Sequence, residues 1–107
     1  MTTKTTNTRV EFVISTVNPV EEIYIVGSHA KLGEWDVTKA IKLEYNESKN
    51  AFCAIKMLPA GSEVEYKILA AKSWNNVEKG IFGEELPNRV FTAVKGTKVE
   101  IVVSNFA

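Results

Sequence analysis

Reactive side chains are scarce in this 107-residue chain, which has one His, His29, and one Cys, Cys53. A structural zinc site draws on a full tetrahedral set of Cys and His ligands, which these two cannot supply. A single Cys permits no internal disulfide. A Ser-His-Asp arrangement could use only His29, which follows Gly27-Ser28 in a segment that reads as a loop. Acid–base chemistry needs two carboxylates held across a substrate with separated pKa values. Glu84 and Glu85 are loop neighbours, and Glu63 and Glu65 share one strand face; among 13 acidic residues neither spacing is diagnostic. Gly80 and Gly83 lack the strand-to-helix setting of a phosphate-cradling loop. No enzyme active site, metal or cofactor is therefore expected. Lys plus Arg number 13 and Asp plus Glu number 13. That balance leaves no broad field to attract nucleic acid or an anionic membrane.

The aromatic residues offer a different chemistry. Trp35 lies in Leu32-Gly33-Glu34-Trp35-Asp36, just after a glycine and between acids, and Trp74 lies in the polar run Lys72-Ser73-Trp74-Asn75-Asn76. Each ring could be a core residue, since Trp is highly buried on average, or an exposed platform. A pyranose ring has a C–H-rich face that lies flat on an aromatic ring and a rim of hydroxyls for a few placed polar groups. The aromatic ring supplies rigid contact area at low entropic cost. Two platforms at an angle suit a curved glucan; Trp35, Trp74, Phe82 and Tyr45 are the candidates.

Such rings must be positioned by strands. Arg9 to Val17 places Val10, Phe12 and Ile14 at period two, and Asn18-Pro19 breaks the run. Glu22 to Val26 is rich in β-branched and aromatic residues and ends at Gly27-Ser28. Ala51 to Leu58 is another run, closed by the turn signal Pro59-Ala60-Gly61. In Glu63 to Ala71, Val64, Tyr66, Ile68 and Ala70 share one face, with Glu65 and Lys67 on the other. Arg89 to Ala93 is a short candidate, Lys95-Gly96 a turn, and Lys98 to Val103 alternates again. Lys39 to Leu43 fits a short strand or a helical turn. Trp74 to Pro87 is the longest irregular stretch, and Ile81, Phe82 and Leu86 make it too apolar for a merely solvated loop. Short strands, frequent turns and no long helical period predict an all-β, antiparallel sandwich of about seven to eight strands. The domain is expected over residues 9–107, after a loose polar segment at residues 1–8.

The ordered motifs resemble those of family 20 carbohydrate-binding modules, the starch-binding domains. They are Tyr24-Ile25-Val26-Gly27-Ser28, Lys31-Leu32-Gly33-Glu34-Trp35-Asp36, Leu58-Pro59-Ala60-Gly61, Val64-Glu65-Tyr66-Lys67-Ile68 and Pro87-Asn88-Arg89. The resemblance spans roughly residues 9–103. It implies an immunoglobulin-like β-sandwich that binds α-1,4-linked glucans: starch, glycogen, maltodextrins or cyclodextrins. The family's main site pairs two Trp with a Lys and an Asn; Trp35, Lys67 and Asn88 match three of these. Glu65, on the strand face of Lys67, joins the candidate set. The family's second Trp usually follows a Val-Glu pair, but here Val77-Glu78 is followed by Lys79 and the loop to Pro87 looks extended. Trp74 is the preferred substitute, with Phe82 as the alternative. A second family site uses Tyr on another face. Tyr45 matches one of its positions, but Asn18-Pro19-Val20 stands where the partner Tyr belongs, so any second site there is expected to be weak.

The leading expectation is a non-catalytic, monomeric α-glucan-binding module of a starch- or glycogen-active enzyme, with micromolar to millimolar affinity, about −8 to −4 kcal/mol. The alternative is a protein-interaction sandwich that kept the fold and lost the sugar site, with Ile81, Phe82 and Leu86 as its contact patch. A small glycoside-acting enzyme is the remaining reading, and the carboxylates argue against it. Met1 to Thr8 shows no apolar stretch of signal-peptide length. The location would be cytoplasmic for a free-standing chain, or extracellular for a domain of a secreted enzyme.

Overall fold

A computed structural model describes residues 6–107 of the chain. The strands are β1 (Asn7–Thr16), β2 (Tyr24–Gly27), β3 (Ile41–Lys42), β4 (Glu44–Asn46), β5 (Ala51–Pro59), β6 (Glu63–Leu69), β7 (Glu78–Lys79), β8 (Arg89–Thr92), β9 (Lys98–Val103) and β10 (Asn105–Phe106). Three single-turn 3-10 helices interrupt them, at Ala30–Leu32, Val37–Lys39 and Trp74–Asn76. One sheet has the order β4-β5-β1-β9, the other β3-β2-β6-β8, and β10 and β7 form a two-stranded ribbon. Seven of these strands are three residues or longer, in line with the expected sandwich. The three further pieces, β3, β7 and β10, have two residues each, too short to carry a period.

Alternation builds the core. Val10, Phe12 and Ile14 of β1, and Val64, Tyr66 and Ile68 of β6, point inward from opposite sheets and are buried together. Phe12, Tyr66 and Phe91 meet edge to face at centroid distances of 5.6–6.2 Å, an arrangement that aligns ring edges with ring faces. Burial pushes the Tyr66 phenol up to about 12, because the ionised form would lose its hydration.

The structure corrects the sequence reading in four places. β1 starts at Asn7, and Asn7 and Thr8 pair with Pro59 and Leu58 of β5. These two residues belong to the sheet because β5 runs far enough to meet them; Met1 to Thr5 lie outside the described residues. Second, β1 and β9 are parallel, whereas the other ladders are antiparallel. Alternation looks alike in both arrangements, so sequence cannot separate them, and strands far apart in the chain need no hairpin. Third, the Lys39 to Leu43 segment divides: the Val37–Lys39 turn ends and β3 begins at Ile41. Fourth, the Trp74 to Pro87 stretch is not irregular throughout. It holds a 3-10 turn and β7, which pairs with β10.

Candidate functional site

The outer face of the β3-β2-β6-β8 sheet carries a second apolar cluster. Tyr24 and Val26 of β2 pair directly with Leu69 and Lys67 of β6, so all four share that face. Tyr24, Val26, Ala40 and Leu69 are buried there, and Trp35, Val37 and Val77 pack over them. This small cluster is the floor under Trp35.

Trp35 is held by an unusual turn. Gly33, Glu34 and Trp35 have φ values of 87°, 48° and 66°, three successive left-handed residues. A side chain at Gly33 is further excluded by backbone, because a Cβ there would lie 2.9 Å from the Lys39 carbonyl oxygen. The Trp35 N–H donates to the Gly27 carbonyl at 3.0 Å, tying the turn to the end of β2. The next residue, Asp36, caps the Val37–Lys39 turn by accepting from the Thr38 N–H and hydroxyl at 3.0 and 2.6 Å. Those two bonds hold its carboxyl below the usual carboxylate range. His29, the lone histidine, has a similar local role: its Nδ1 accepts from the Lys31 N–H at 3.0 Å.

Trp74 begins the Trp74–Asn76 turn, which Ser73 caps by accepting from the Asn75 N–H at 3.1 Å. The Trp74 ring is 43% exposed. Its centroid lies 6.4 Å from that of Trp35, with the planes tilted by 34°. Trp35 is itself half-buried. Two indoles from segments 39 residues apart, 74 minus 35, thus share one patch.

A hollow of about 260 Å³ opens beside Trp74, lined also by Lys67, Val77, Glu78, Lys79, Glu85 and Leu86. The half-buried Lys67 donates from Nζ to the Leu86 carbonyl at 2.7 Å. Glu65 is exposed two residues along the same strand face. Asn88 is exposed and lines an adjacent hollow with Tyr66, Arg89 and Val90; Leu86 borders both hollows. Phe82 sits in the loop after β7 and is 91% exposed. Tyr45 lies elsewhere, on the other sheet. Its ring meets Phe52 edge to face at 5.1 Å, and it borders a hollow with Thr16, Pro19, Val20 and Asn50.

Sequence reasoning missed an ion pair beneath the site. Glu78 is only 6% exposed, and Arg89 grips it with Nε to Oε1 at 2.8 Å and Nη2 to Oε2 at 2.7 Å. This fork ties β7 to β8 behind the hollow and holds the Arg89 guanidinium above its ordinary pKa. Glu78 stood out only as half of the Val77-Glu78 pair and Arg89 only within the Pro87-Asn88-Arg89 motif; nothing in either segment pointed to the other. Among the described residues, no three His, Cys, Asp or Glu side chains converge to hold a metal ion.

Residues 7–103 match the family model described as a starch binding domain. The chain belongs to the starch-binding domain family. This starch-binding domain is 33% identical over 99 residues to a cyclomaltodextrin glucanotransferase from Geobacillus stearothermophilus, covering 88% of this chain and 13% of the enzyme. It is 32% identical over 79 residues to an AA13 family lytic polysaccharide monooxygenase A from Aspergillus terreus, covering 71% and 19% respectively. The chain therefore spans less than a fifth of either relative. Its fold matches the family 20 carbohydrate-binding module of a maltotetraose-forming amylase from Pseudomonas saccharophila, with TM-score 0.64 at 19% identity over 88% of this chain and 98% of that one. A glucoamylase from Hypocrea jecorina gives TM-score 0.65 at 23% identity, covering 95% of this chain and 18% of the enzyme. The starch-binding domain is a non-catalytic binding module for starch-type glucans, and the enzymes it resembles share with it only a small part of their length.

Proposed function

We propose that this domain binds α-1,4-linked glucans by stacking sugar rings on Trp35 and Trp74, and that it holds a starch- or glycogen-active enzyme on its polymer. The observation that carries the reading is the Trp pair: two neighbouring rings, neither fully buried, tilted by 34°, with Trp35 seated on the apolar outer-face cluster. A tilted pair follows the bend of an α-glucan better than one flat surface. Lys67 spends one N–H on Leu86 and has two more for sugar hydroxyls. Glu65, two residues along β6, and Asn88, just before β8, are exposed and serve as rim acceptors and donors. Tyr45 adds a separate and weaker contact, because a single ring on the other sheet lacks a partner platform. The targeting role draws on the relatives, a glucanotransferase and a polysaccharide monooxygenase that each carry a matching segment.

Stacking on one aromatic side chain is worth about 1–3 kcal/mol by alanine substitution in nucleic-acid systems. Sugar stacking of similar order predicts that Trp35→Ala and Trp74→Ala each weaken binding of maltoheptaose or β-cyclodextrin about tenfold or more. Isothermal titration on variants with unchanged circular dichroism reads this directly. Unchanged affinity in Trp35→Ala would sink the site; unchanged affinity in Trp74→Ala would remove its second platform.

A further inference from the structure

The loop between β7 and Leu86 is built to present an aromatic ring. Lys79 and Glu85 face each other as an antiparallel bridge, and their side chains approach at 3.5 Å. Between them the Gly80 N–H donates to the Glu84 carbonyl and the Gly83 N–H to the Gly80 carbonyl, both at 2.9 Å. The Glu84 carboxylate folds back across the turn and accepts from the Phe82 N–H at 2.9 Å. It lies directly over Gly80, where any Cβ would come within 2.2–2.4 Å of the carboxylate atoms. The side chain that this order presents, Phe82, is 91% exposed and Ile81 is 69% exposed. Fixing a loop tip costs conformational entropy, and a solvent-facing Phe returns no burial to offset it. The same order is useful when a ligand arrives, because a ring already held in place loses little freedom on binding.

The base of this loop belongs to the hollow beside Trp74: Lys79, Glu85 and Leu86 line it with Lys67. Phe82 is three residues from Lys79 in sequence, so its Cα stands at most about 11 Å from that wall. We propose that Phe82 is an outer platform that lengthens the glucan site, making the domain favour longer α-glucan chains, and that Glu84 is its positioning residue. This rests on the glucan-binding reading above. It gives Phe82 a role separate from the Trp pair: short oligosaccharides fill the inner rings, and only longer ones reach the outer ring.

The test is isothermal titration of maltotriose and maltodecaose, read as the ratio of the two affinities. In Phe82→Ala and Phe82→Leu that ratio is expected to fall about fivefold to tenfold, the loss of one stacked ring, while Phe82→Tyr retains it. Glu84→Ala is expected to lower the ratio by freeing the tip, and Glu84→Gln, whose amide oxygen can still accept from the Phe82 N–H, to restore it. Thermal melts confirm that each variant stays folded. An unchanged ratio in both Phe82→Ala and Phe82→Leu, with wild-type binding intact, overturns the outer platform alone. A lowered ratio in Phe82→Ala but not in Glu84→Ala overturns the positioning role. Wild-type protein that binds neither sugar overturns the glucan reading and this proposal together.

Discussion

Trp35 owes its place to backbone that few side chains adopt. Left-handed non-glycine residues cost on the order of 1–3 kcal/mol each and persist where surrounding structure over-determines them. Here Glu34 and Trp35 both do so, held by hydrogen bonds to the His29 and Gly27 carbonyls and by the Asp36 cap that follows. Asp36 therefore links pH to the ring's support. Its folded-state pKa is depressed, so its stabilising contribution is fully present above the unfolded value of about 4 and is lost as pH falls through the lower folded value. Asp36→Ala should melt below wild type by a constant margin at neutral pH, and the margin should shrink as acid protonates the Asp36 carboxylate. A margin that does not shrink between neutral and acid pH would reject the cap's charge dependence. The sequence made Trp35's turn legible through Gly33, but not its strain, because Glu34 and Trp35 have no intrinsic taste for that conformation. Trp74's neighbourhood was legible only as polar; its approach to Trp35 depends on a contact across the chain.

At the scale of elements, the short pieces matter most to the site and were the hardest to read. β6 declared itself through Val64, Tyr66 and Ile68, and that alternation correctly put Lys67 on the opposite face. β7 has two residues and no pattern to display. Its anchor is the Glu78–Arg89 fork, a charge pair largely removed from water. Removing one partner strands the other, at about 3–5 kcal/mol for fully buried pairs. Arg89 is partly exposed, so Arg89→Ala should destabilise by somewhat less, about 2–4 kcal/mol in urea unfolding. Glu78→Leu combined with Arg89→Leu should be less damaging than Arg89→Ala, since an apolar pair leaves no buried charge. A double variant worse than that single one would mean that the fork stabilises the domain outright. The adjacent acids of the loop also have structural employment: Glu84 accepts from the Phe82 N–H and Glu85 pairs with Lys79.

For the whole molecule, charge balance predicts how binding responds to salt. A neutral sugar offers no charge to screen, and the chain's formal charge is zero. Maltoheptaose affinity should change less than about twofold between 50 mM and 500 mM NaCl, a range over which surface ion pairs and steering are strongly screened. A tenfold loss would point to an ionic partner instead. The sandwich itself was legible because inward positions alternate along β1, β6 and β9; the direction of β9 beside β1 was not. That parallel pairing has a mechanical meaning. The register runs from Glu11 against Lys98 to Thr16 against Val103, so the start of β1 and the end of β9 lie at opposite ends of the ladder. Opposed pulls at Asn7 and Val103 load its hydrogen bonds in shear, together and along the strand axis, instead of unzipping them one by one. Force applied across those two strand ends would therefore meet the ladder in its stiffest direction.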